Sequence, residues 1–212
     1  MGDWLRPYWD FDDLDLSEQR FRELLGVETN DEGRAEVTTQ LARVEGLRGR
    51  FDEGDELLDE ADALAGSSPI VRARIDLERG RLRRSNGDPG AALPLFEAAL
   101  ETATAVPHEF LAVDALHMAA IAAPDFDVRL AWAERGIELA AGSQDDAVTY
   151  WLGSLYNNLG WDFFDQGDYE TSLEWFEQAL AERERRPDEP ERIAHARDAV
   201  DEARLKLEAK AD

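Results

Sequence analysis

The 212-residue chain contains no cysteine, which excludes a disulfide framework, a thiol nucleophile and thiolate metal sites. Lysine is almost missing too: Lys206 and Lys210 are the only two among 23 basic residues, set against 48 acidic ones, for a formal charge of −25. A field of that sign repels phosphate backbones and anionic lipid, so neither nucleic acid nor a membrane surface is an expected partner. No stretch approaches the roughly 18 apolar residues of a membrane span. The amino-terminal MGDWLRPYWDFDD lacks the basic and apolar regions of a leader, so the cytoplasm is the expected compartment. Gly2 does not signal myristoylation, because Arg6 stands where Ser or Thr is wanted. The three histidines, His108, His117 and His195, fall in separate elements, and neither an HExxH pair nor an acidic metal loop occurs. Ser154 and Ser172 have no nucleophile-elbow context, and no strand precedes Gly87-Asp88-Pro89-Gly90 to make a phosphate-binding loop. Catalytic residues, cofactors and metals are therefore not expected.

What the chain does contain is a repeated pattern. In the stretch Tyr156 to Leu180, Leu159, Gly160 and Phe163 form an apolar helical seam, Gln166-Gly167-Asp168 breaks it, and Ser172, Phe176, Ala179 and Leu180 share one face of a second helix. Gly160 costs roughly 1 kcal/mol relative to Ala in a helix interior, which predicts close approach of a neighbour. Gly167 suits a left-handed turn, and Asp168 suits a cap on the next helix. A second copy has Gly80, Gly87-Asp88-Pro89, Ala92, Phe96, Ala99 and Leu100. Weaker copies have Ala42, Gly49-Arg50-Phe51, Gly54, Leu58 and Ala61, and then His117, Asp125-Phe126, Ala133 and Gly136, with His117 where the others have Gly or Ala. The equivalent points Ser17, Gly54, Ala92, Arg129 and Ser172 lie 37, 38, 37 and 43 residues apart. The spacing predicts an all-α stack of antiparallel helix pairs, each burying its stripe against the next.

Asn158-Leu159-Gly160 with Phe163, Gly167-Asp168-Tyr169, and Phe176 with Ala179-Leu180 resemble the tetratricopeptide repeat family, over about residues 35–185. The units here are longer than that family's typical ~34 residues, which implies extra turns or loops near Pro107 and Ala141–Asp146. The resemblance implies a right-handed α-solenoid in one domain. The expected divisions are an aromatic segment and capping helix at 1–34, repeats at 35–68, 69–106, 107–143 and 144–187, and a capping helix at 188–212. First helices are expected over Ala35–Arg48, Ile70–Arg84, Glu109–Ile121 and Ala147–Asp165. The cluster Trp4, Tyr8, Trp9 and Phe11 is expected to fold back as a cap.

In this family the first helix of each pair lines the concave face. That convention places Gln40, Arg43 and Leu47 in the groove, with Arg74, Leu77, Glu78 and Arg81, then Asp114 and Met118, then Asn157, Asn158, Trp161 and Asp165. The arginines and amides suit a peptide backbone or carboxylate, and Trp161 offers a large rigid surface. The expected function is a non-catalytic module that holds a peptide or protein segment. The alternative is a self-associating subunit, such as a homodimer built through the aromatic segment or the solenoid ends. For each site residue a plainer role competes: Arg43 pairing with Glu78 or Glu36, Arg81 pairing with Glu78 or Asp76, the asparagines satisfying backbone groups, and Trp161 packing beneath the closing helix. The acidity has two readings, adaptation to a saline interior or steering of a basic partner.

Overall fold

The computed structural model describes residues 3–211, so Gly2 lies outside the described residues. Among the described residues, every regular element is a helix. The chain divides into two compact units, Met1–Pro124 and Asp125–Asp212. In the first, a 3₁₀ turn at Arg6–Tyr8 precedes α1 (Leu14–Val27), α2 (Asp31–Leu47), α3 (Phe51–Ala65), α4 (Pro69–Ser85), α5 (Pro89–Ala105) and α6 (Glu109–Ala122). The second contains α7 (Phe126–Gly142), α8 (Asp146–Thr149), α9 (Leu152–Asp165), α10 (Tyr169–Glu184) and α11 (Pro190–Ala211). The expected third pair, α6 with α7, is thus shared between the two units.

The turns show why the pairs form. Gly87 and Gly167 take φ of 87° and 76°, conformations that a side chain disfavours. This lets the next N–H groups reach back: Asp88 N donates to Arg83 O at 2.9 Å and Asp168 N to Phe163 O at 3.0 Å. Each Asp then caps the following helix, accepting from Ala91 N at 2.9 Å and from Thr171 N at 3.2 Å. About two turns back from each glycine turn, a small residue receives an aromatic ring. A Cβ on Gly80 would lie 2.5 Å from Cε1 of Phe96, and one on Gly160 would lie 2.3 Å from Cδ1 of Phe176. The close approach at Gly160 is therefore made by a ring of the partner helix rather than by its backbone.

The fourth first helix is interrupted. Tyr150 and Trp151 retain right-handed helical dihedrals, but Trp151 N bonds to Val148 O and Ser154 N to Trp151 O, the tighter spacing of a 3₁₀ turn. The expected Ala147–Asp165 helix therefore becomes α8 and α9. In the second unit α11 closes the array, with Ala199, Val200 and Ala203 buried against Phe176. In the first, Phe21 of α1 packs with Leu5, Val37, Leu41 and Val44.

Candidate binding face of the first unit

Three helices of the first unit present mostly polar residues in one register. The i, i+4, i+7 positions are Glu36, Gln40 and Arg43 in α2, Arg74, Glu78 and Arg81 in α4, and Phe110, Asp114 and His117 in α6. Charges of opposite sign meet within α4 and across to α2 and α6. Arg74 Nε donates to Glu36 Oε2 at 2.8 Å, Arg81 donates to Glu78 Oε1 at 2.9 Å and also to Asp114, and Arg43 lies 3.8 Å from Glu78. Gln40, Arg74, Glu78 and Asp114 are each 2–3% exposed, so these are interior ion pairs and not the surface pairs that the sequence suggested. Asp114, expected in the groove, is the partner of Arg81.

Burial shapes the titration of this ladder. Desolvation pulls the Asp114 carboxyl upward, but Arg81 and then Arg43 outweigh it and hold the group below its ordinary range. Glu78 is pushed up, because desolvation outweighs its arginine neighbours. His117 is pushed down to about 4 by desolvation, aided by Arg81, Arg43 and Arg84 against the opposing pull of Asp114.

The amino-terminal segment lies on the same face. Asp3 accepts from Arg74, Trp4 Nε1 donates to Glu36 Oε2 at 3.1 Å, and Trp9 Nε1 donates to Gln40 Oε1 at 2.9 Å. The Arg43 guanidinium sits 5.3 Å from the Trp9 ring and 5.4 Å from the Phe11 ring, which stack on each other at 4.7 Å. Leu5 is fully buried in the α1–α2 core. The segment does fold back as expected, but its polar edges are directed at residues assigned to the groove.

Beyond Arg43 the face is open. A cavity of about 170 Å³ is lined by Arg43, Leu47, Glu78, Arg81, Arg84 and Met118, among others. Leu47 is 52% exposed, and Glu78 Oε2 has no hydrogen-bond partner. Of the expected groove residues in this unit, Arg43, Arg81 and Met118 meet at the cavity, Gln40 and Arg74 lie beneath the amino-terminal segment, and Leu77 belongs to the core. The signal that the sequence offered for the buried ladder was the shared i, i+4, i+7 register that sets Glu36 and Arg43 on α2 and Asp114 on α6 beside Arg74, Glu78 and Arg81 on α4.

In the second unit, Asn157 and Asn158 are half-buried on α9, and Asp165 is exposed. Trp161 packs edge-on against Phe164 at 5.2 Å and Phe176 at 5.0 Å, beside the cluster that α11 completes. A different set of residues gathers around Tyr150. Its hydroxyl bonds to Glu189, and the guanidiniums of Arg186, Arg183 and Arg192 lie 5.0, 5.3 and 5.9 Å from its ring. Among the described residues, no group of three or more His, Asp or Glu side chains is placed to hold a metal ion, and no helix is long and apolar enough to cross a membrane.

Comparison with known proteins places the fold. A comparison with curated proteins finds no significant match. The crystal structure of BtubC (BKLC) from P. vanneervenii superposes with a TM-score of 0.63 at 18% identity, covering 99% of this chain and 93% of that one. Nearly identical TPR-like repeats from a kinesin-light-chain-like protein of Podosopora anserina superpose with a TM-score of 0.58 at 20% identity, covering 86% and 94%. The tetratricopeptide repeat family model matches residues 152–186. The chain thus carries a tetratricopeptide repeat in its second unit and has the all-α fold of tetratricopeptide-like helical arrays.

Proposed function

We propose that the protein is a non-catalytic interaction module, and that the face of α2, α4 and α6 holds a segment of a protein partner. The fold supports the general reading, since arrays of this kind are interaction scaffolds. The observation that carries the specific one is the cavity at Arg43, Leu47, Arg81 and Met118. It combines exposed apolar surface at Leu47 with guanidinium donors. A peptide main chain with an apolar side chain satisfies both. The paired arginines remain donors, because a guanidinium has five N–H groups and these ion pairs use only some of them.

A photo-cross-linking amino acid at position 47 of the full chain tests this in a native lysate. A discrete protein adduct that is lost on Met118→Glu supports the site. No adduct, or one indifferent to that substitution, removes it. Self-association through the aromatic segment has less support, because Trp9 and Tyr8 are engaged within the chain and only Trp4 and Phe11, at 38% and 37% exposed, present large rings outward.

A further inference from the structure

We propose that residues 3–11 are a ligand carried in cis: the partner is a peptide presenting an acidic residue and aromatic side chains in the arrangement of Asp3, Trp4 and Trp9, and it binds by taking this segment's place. The proposal rests on the peptide-binding reading above and gives the partner its chemistry.

Three features separate this segment from an ordinary cap. Beside the apolar anchor of Leu5, buried with Val37, Leu41 and Val44 and flanked by Tyr8 and Trp9, its side chains make a set of polar contacts with α2 and α4: Asp3 to Arg74, Trp4 to Glu36, Trp9 to Gln40, and Arg43 over two rings. They read a chemical pattern, where helix packing would need only apolar bulk. Its backbone, by contrast, bonds mainly to itself, with Arg6 N to Asp3 O, Tyr8 N to Leu5 O and Trp9 N to Arg6 O, and is tied to α1 through Asp10 and Ser17. The segment can therefore leave without breaking the hydrogen-bond ladder of α2 or α4. Finally, it ends at Arg43, which also lines the open cavity, so the covered and uncovered parts of the face are continuous.

The electrostatics agree. In a chain of charge −25, Arg43, Arg74 and Arg81 offset Glu36, Glu78 and Asp114, so this face is close to neutral before Asp3 docks on it. An acidic residue in the visitor replaces Asp3 on Arg74 and avoids leaving that guanidinium undercompensated. Indole N–H groups replace those of Trp4 and Trp9 on Glu36 and Gln40; without them Gln40 Oε1 loses the indole donor and Glu36 Oε2 keeps only Arg74. A partner without these groups faces a tethered competitor at millimolar effective concentration.

The probe is the chain's own sequence. A fluorescein-labelled peptide of residues 3–13 is titrated, by fluorescence anisotropy, into the wild-type chain and into the full chain carrying Asp3→Asn and Trp9→Ala. Tighter binding to the variant by about tenfold or more, lost when Arg43→Glu is added, is the expected result. Equal affinity for both chains, or binding indifferent to Arg43→Glu, overturns the proposal. Should the variant lose its helical circular dichroism, a protease site inserted after Asp12 of the wild-type chain serves instead. The labelled peptide is then expected to exchange in only after cleavage, and a cleaved segment that never exchanges overturns the proposal. If the peptide fails while the position-47 adduct persists, the cis-ligand proposal falls and the peptide-binding reading stands. If both fail, both fall.

Discussion

The inward faces of α4 and α9, a first helix from each unit, are held by opposite means. On α4, Arg74 and Glu78 are buried, Arg81 is partly so, and all three hold their neighbours through charge. On α9, Tyr156 stacks on Trp175 at 5.6 Å, Phe163 meets Phe126 at 5.1 Å, and Trp161 and Phe164 surround Phe176. Aromatic packing gains from each Å² removed from water and tolerates small shifts. A buried ion ladder is different: desolvation offsets much of its attraction, and a missing member leaves an uncompensated charge. The first unit therefore gains register and directed donors at the expense of sensitivity to pH and substitution. A face that must recognise polar chemistry needs such directed groups, whereas a face that only closes an array does not.

The largest effect expected from this contrast is at Arg81. Arg81→Met strands Glu78 and Asp114 and is expected to cost about 3–5 kcal/mol in urea unfolding, localised to α4 and α6 by hydrogen exchange. Phe176→Ala in the second unit should cost a similar amount through its cavity. The two are told apart by pH: the first loss should shrink as Asp114 is protonated, and the second should not. A loss below about 1 kcal/mol at Arg81 would mean the ladder is not an interior one.

Next comes acid sensitivity. With its folded pKa about 4 against an ordinary 6.5, His117 binds its proton less readily in the folded state, so its contribution is present above 6.5 and is lost as pH falls towards 4. The loss amounts to up to about 3 kcal/mol. Asp114, held low, adds a loss that begins as pH falls below its ordinary 3.8 and is complete below its folded value. Glu78 works the other way, and its raised value gives a gain as pH falls through it to the ordinary 4.5. The difference between wild type and His117→Gln cancels the shared carboxylates. It should show the variant with the flatter profile between pH 6.5 and 4, and parallel profiles would refute the assignment.

A smaller effect tests what the units have in common. Gly80→Ala and Gly160→Ala each drive a methyl into the ring opposite, and each should cost about 1–3 kcal/mol in thermal or urea unfolding. Near-equal losses would show that the two turns are equivalent in energy as well as in geometry. The smallest effect is at the exposed pair of Arg204 with Glu177, 2.7 Å apart with side chains 53% and 51% exposed. Arg204→Gln should change stability by no more than about 1 kcal/mol, in contrast with Arg81.

Much of the scaffold was legible in residue spacing. Gly80, Gly87, Phe96 and their counterparts Gly160, Gly167 and Phe176 announce turn and packing together, because few residues tolerate a positive φ or the absence of a Cβ. The 3₁₀ break at Tyr150 was not legible, since its dihedrals remain helical and only the hydrogen-bond spacing changes. The interior position of Arg74 and Glu78 was hidden for a different reason. Charged residues are rarely buried, so spacing alone assigns them to solvent until their opposite numbers on α2 and α6 are aligned. The aromatic segment was recognised as folding back. Its target was not, because Gln40 and Glu36 become acceptors for Trp9 and Trp4 only once α2 is placed.

The sixteen-residue interval from Gly80 to Phe96, repeated from Gly160 to Phe176, also bears on the order of events in folding. Contacts so local close small loops, whereas Asp3 reaches Arg74 across 71 residues, an extra closure cost of about 1 kcal/mol. The helix pairs around these glycines are thus expected to form early, with the amino-terminal segment docking last onto a surface already made. On that order the polar face of α2, α4 and α6 is complete for a time in each newly folding molecule before its own segment arrives.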